Sequence, residues 1–106
     1  MTTVTIGTAD SDPGIQFLSG NLRDTLNAVW VDATTTSVNQ WTFDLAPGDY
    51  AFSPDSQGPS GSTVKVTIKS ASGSISAING TPFTLPGDPS GTGRIAPPVR
   101  FTFSNP

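Results

Sequence analysis

Apolar and polar residues alternate with a period of two along much of this chain. The clearest run is TVKVTIKS, residues 63–70, with Val64, Val66 and Ile68 on one face and Lys65, Thr67 and Lys69 on the other. VRFTFS, residues 99–104, groups Val99, Phe101 and Phe103 against Arg100 and Thr102. TVTIG pairs Val4 with Ile6, WTFDL groups Trp41, Phe43 and Leu45, and YAF pairs Tyr50 with Phe52. One-sided alternation of this kind belongs to strands with one face in a core and one in water.

Turn signals separate these runs. ADSDPG, APGD, SPDSQGPSGS and DPSGTGR are rich in Gly, Pro, Ser and Asp, and the last two, around residues 54–62 and 87–94, read as long loops with nothing to bury. IQFL, SGSISAING and TPFTLPG are weaker runs that contribute Ile75, Ile78, Phe83 and Leu85. GNLRDTLNAVWVDA has two readings: Leu18, Leu22 and Leu26 have helical spacing, but the alternation beyond Leu26 fits a strand over residues 26–32 better. The expectation is a single domain over residues 1–106: an all-β, antiparallel β-sandwich of seven or eight short strands.

The stretch LAPGDY, residues 45–50, reads as a strand, a tight corner and a returning strand. Pro47 cannot donate to a ladder, Gly48 tolerates unusual backbone angles, and Tyr50 can bury its ring while its hydroxyl reaches backbone near the corner. The order WTFDLAPGDYAFS, TVKVTIKS, FTL and FTFS, over about residues 41–104, resembles jelly-roll and immunoglobulin-like modules. It is similar both to small accessory proteins of tailed-phage particles, such as capsid decoration and tail proteins, and to carbohydrate-binding jelly-roll modules. The first resemblance implies a virion protein that docks on a capsid or tail protein, commonly as a homo-oligomer. The second implies polysaccharide recognition through exposed aromatics.

Composition narrows the chemistry. Among 106 residues there is no Cys, no His and no Glu, which leaves no thiol chemistry and no imidazole base or ligand. Five basic residues against eight Asp give a net charge of −3 with no basic stripe, so neither nucleic acid nor an anionic membrane is an expected partner. No cofactor or catalytic residue is assigned. The opening MTTVTIGT has neither the basic nor the apolar stretch of a secretory signal, whereas the Ser/Thr-rich, thiol-free composition suits a protein facing the outside. A virion component released by lysis reconciles the two, as does a domain cut from a larger protein.

Each candidate group has a plain structural role as well. Phase places Trp30, Trp41 and Tyr50 in the core, where large aromatics serve as hydrophobic mass; an aromatic platform for a sugar ring is the functional alternative. Asp10, Asp12 and Asp88 suit turns first and weak Ca²⁺ binding second. Asp44 and Asp49 flank the corner without the pocket that a pair of catalytic carboxylates needs. Lys65, Lys69 and Arg100 lie on outward phases, as a solvated face or as contacts to a carboxylate-bearing partner. The reading that fits best is a non-enzymatic structural protein that docks on a larger assembly through Trp30, Trp41, Lys65, Lys69 or Arg100.

Overall fold

A computed structural model describes residues 1–10, 15–37, 39–87 and 89–104, without the side chains of Ala9 and Asp10. Its strands in chain order are β1 (Thr2–Asp10), β2 (Gln16–Asp24), β3 (Val29–Val31), β4 (Thr35–Ser37), β5 (Gln40–Leu45) and β6 (Gly48–Pro59). They continue with β7 (Thr63–Ser70), β8 (Ser74–Asn79), β9 (Phe83–Thr84), β10 (Thr92–Ile95) and β11 (Val99–Ser104). No helix occurs among the described residues. One sheet has the order β4-β5-β1-β7-β9, and the other β3-β2-β6-β11-β8 with β10 also on β6. Every pairing is antiparallel, and the whole is a β-sandwich, as the alternation requires.

The inward phases meet between the sheets. Val4, Ile6, Trp41, Phe43, Leu45, Val64, Val66 and Ile68 come from the first sheet, and Leu22, Tyr50, Phe52, Val99, Phe101 and Phe103 from the second. Phe52 sits at the junction, its ring centroid 5.1 Å from Trp41 and 6.2 Å from Phe43. Such tilted and edge-on pairs add to the free energy of burial alone. Gly20 completes the fit, since a Cβ there would lie 2.6 Å from both the Phe52 and Trp41 rings.

The corner at Ala46 and Pro47 carries the chain from β5 in the first sheet to β6 in the second, and three other sequence expectations change. The Tyr50 hydroxyl closes this corner by donating to the Ala46 carbonyl at 2.6 Å. Next, the expected loop at 54–62 is mostly strand, because β6 runs on to Pro59. Its inward residues there are Pro54, Ser56 and Gly58, too small and polar to register as a hydrophobic period. Pro54 needs no ladder N–H on one side: β11 pairs β6 up to Phe52, and β10 takes over at Ser56. The loop expected at 87–94 likewise yields β10, starting at Thr92.

The third change is in the region that positions the candidate site. Residues 26–32 do not form one strand. β2 extends through the ambiguous Leu-rich segment to Asp24, residues 25–28 turn, and β3 returns beside β2. The turn resets the phase, so Val31 faces the core side opposite Leu22 while Trp30 faces outward opposite Arg23.

Candidate functional site

The β2–β3 hairpin is held by its own short polar residues. Asp24 Oδ1 accepts from the backbone N–H groups of Leu26 and Asn27 at 3.1 and 3.0 Å, and Oδ2 accepts from Asn27 Nδ2 at 2.8 Å. The Asn27 side chain and then its backbone N–H hold the Asp24 carboxyl below its ordinary pKa, against an opposing cost of desolvation that exceeds the further help of the Leu26 N–H. Ala28 closes the turn with φ of 55°, in the left-handed region. Thr25 ties the hairpin to β6 through its N–H and Oγ1, both donating to the Asp49 carbonyl at 3.0 Å.

This frame presents apolar side chains to solvent. Leu26 is 75% exposed, Trp30 64% and Val29 50%. The Arg23 guanidinium lies 5.0 Å from the centroid of the Trp30 ring and donates to the Ala28 carbonyl at 3.3 Å. One Arg therefore stacks on the indole and braces the turn, a cation–π contact that fixes the ring in the open.

Register extends the site across the sheet. Trp30 pairs with Arg23, Arg23 with Ala51, Ala51 with Arg100, and Arg100 with Asn79, so five residues from five strands form one outward row. The neighbouring row holds Asp49 opposite Thr102, whose hydroxyl donates to Asp49 Oδ1 at 2.6 Å. The register between β11 and β8 shifts between Arg100 and Thr102, near Ala77 with φ of 53°. At this irregularity a hollow of about 290 Å³ opens, lined in part by Thr25, Asp49, Ala77, Arg100 and Thr102. Bulges of this kind re-aim side chains at sheet rims and binding sites.

The sequence-predicted residues fall in three places. Trp30 and Arg100 share the outward row, and Trp30 corrects its core assignment because the turn at 25–28 inverts its phase. Trp41 and Tyr50 are buried at 7% and 4% exposure, as their phase predicted. Lys65 and Lys69 lie on the outer face of the other sheet, on the opposite side of the sandwich from Arg100. Asp44 and Asp49 are divided in the same way: Asp44 accepts from Thr3 on the first sheet, and Asp49 from Thr102 on the second. They do not converge. Asp12, Asp88 and the Asp10 side chain lie outside the described residues, among which no cluster of three or more acidic groups gathers.

Sequence reasoning missed Arg23. The signal available was DTLN, residues 24–27, with Asp and Asn placed to bond a short turn. Reading it as a hairpin turn puts Arg23 and Trp30 opposite each other. A separate groove of about 880 Å³ lies between the sheets beside Phe17, Gly20, Thr36 and Trp41. It is bordered by Ile15 and Asn39, chain neighbours of segments outside the described residues, and no site is assigned to it. Compared with protein-family models, with curated proteins and with solved structures, the chain finds no match.

Proposed function

We propose that this chain is a non-enzymatic interaction protein that attaches to a larger assembly, with the β2–β3 hairpin as the attaching element. The observation that carries this reading is the solvent exposure of Trp30, braced by Arg23 on a hairpin whose turn also exposes Leu26. Trp and Arg are the residues that most often dominate protein interfaces, and a ring already held in place loses little freedom on docking. Two carboxylates of the same face are committed to structure, Asp49 to Thr102 and Asp55 to Arg94, rather than converging as an acid and a base. The assembly we favour is a virus particle, on which the chain serves as a capsid or tail accessory protein, alone or as a homo-oligomer; the exterior-like composition supports this.

A photocrosslinker in place of Asn27, at the hairpin tip, tests the attachment. A discrete adduct in the producing cell, lost with Trp30→Ser and absent from a probe at Thr67 on the opposite face, is expected. Adducts from Thr67 alone overturn the assignment. A second reading has its own observation: the exposed indole of Trp30 suits a sugar ring, with Arg100 and Asn79 along the same row to bond hydroxyls. Quenching of Trp30 fluorescence by a neutral polysaccharide supports that reading.

A further inference from the structure

The outer face of the second sheet carries three of the chain's five basic residues, Arg23, Arg94 and Arg100. The chain carries a net charge of −3. On this face Arg94 and Asp55 neutralise each other through a two-point bridge, Nε to Oδ1 at 3.0 Å and Nη2 to Oδ2 at 2.7 Å. Of the remaining charges in the two rows, Arg23 and Arg100 face one carboxylate, Asp49, which already accepts from Thr102. Beside them the Asp24 carboxylate is turned onto the N–H groups of Leu26 and Asn27, and Asp32 is exposed just beyond β3. Arg100 is exposed and makes no ion pair among the described residues. The two guanidinium-bearing strands stand on either side of β6, so their Cα atoms are about 10 Å apart, twice the spacing between neighbouring strands. Between them lies Ala51, whose short side chain is itself buried at 9% exposure.

We propose that this face receives an acidic segment of a protein partner, with carboxylates on Arg23 and Arg100 and an apolar side chain against Trp30. The inference rests on the attachment reading above and names the chemistry of the partner. Arg presents a planar fork that matches a carboxylate, and a weakly hydrated guanidinium beside an indole is easily stripped of water. Leu26, exposed in the turn between the two strands of the hairpin, decides between macromolecules: it offers apolar contact to a polypeptide and nothing to the hydroxyls of a glycan. Lys65 and Lys69 are excluded from the site because they lie on the opposite face.

The test is a titration of the isotope-labelled protein with a random Glu–Tyr copolymer at low ionic strength, followed by NMR of the two indole N–H signals. Trp41, buried, is the internal control. The expected result is movement of the Trp30 signal alone. Binding should weaken several-fold with Arg100→Gln, which leaves the hairpin intact, and again on raising the salt, since exposed charges are screened within about 10 Å at 0.1 M. Lys65→Gln with Lys69→Gln should leave binding unchanged. A silent Trp30 signal overturns the inference, as does dependence on Lys65 and Lys69 in place of Arg100. A response to polygalacturonate equal to or stronger than that to the copolymer also overturns it, by assigning the face to acidic polysaccharide. These failures are separable from failure of the attachment reading: if the adduct at position 27 forms but the copolymer does nothing, only the acidic partner falls.

Discussion

The Arg23 guanidinium carbon lies 5.0 Å from the centroid of the Trp30 ring, on strands paired so that the two residues stand directly opposite. Contacts of this kind at exposed sites contribute about 0.5–1 kcal/mol. Arg23→Ala should therefore cost no more than about 1 kcal/mol of global stability while freeing the ring. Acrylamide quenching of Trp fluorescence should rise in the variant, because Trp41 is buried and contributes little to the accessible fraction. Unchanged quenching would mean that Arg23 does not shield the indole.

Tyr50 offers a test of the corner between sheets. Loss of its 2.6 Å bond to the Ala46 carbonyl in Tyr50→Phe should cost about 1 kcal/mol in chemical denaturation. Burial, and then the Asp24 carboxylate, hold its phenol above the ordinary value of 10.0. A proton bound more tightly in the folded state stabilises fully below the unfolded pKa and is lost as pH rises through the folded one. The wild-type protein should thus lose stability above pH 10.0, and Tyr50→Phe should flatten that part of the profile.

Gly20 is a packing requirement. A methyl group at this position meets Phe52 and Trp41 at 2.6 Å, and both rings are locked by neighbours in the core. Gly20→Ala should destabilise the fold by about 1–3 kcal/mol, the usual cost of overpacking, read as a lowered denaturation midpoint with an unchanged slope.

The hairpin should loosen in acid. Hydrogen bonds from Asn27 and Leu26 depress the Asp24 pKa below 3.8, so their support is complete above that value and is lost as pH falls through the folded pKa. Asp24→Ala should remove it at every pH. Amide exchange of Leu26 and Asn27 should accelerate in the variant at neutral pH, while exchange in β7 stays as in the wild type. Equal protection of the two turn amides in both proteins would show that the carboxylate does not organise the tip.

The parts of the fold legible from the pattern are those whose inward residues are bulky. Val64, Val66 and Ile68, Val99, Phe101 and Phe103, and Trp41, Phe43 and Leu45 each announce a strand and its buried face, and all nine are buried. The far half of β6 was hidden because Pro54, Ser56 and Gly58 fill the space with little hydrophobic mass. Trp30 was misplaced for a different reason: period-two counting from Leu26 assumes unbroken extension, and a turn of four residues breaks it. The candidate site was the least legible feature. Arg23 and Arg100 become neighbours only because β6 separates β2 from β11, and strand order leaves no trace in local alternation.

The most direct measurement is the fraction of the chain found in high-mass material when extracts of the producing cell are separated by size, for the wild type and for Trp30→Ser. Trp30 is 64% exposed and outside the core, so the variant should fold with an unchanged denaturation midpoint. The account predicts wild-type protein in a high-mass fraction and the variant shifted to the free chain. An identical distribution of the two proteins, with the variant folded, would contradict the hairpin as the attaching element.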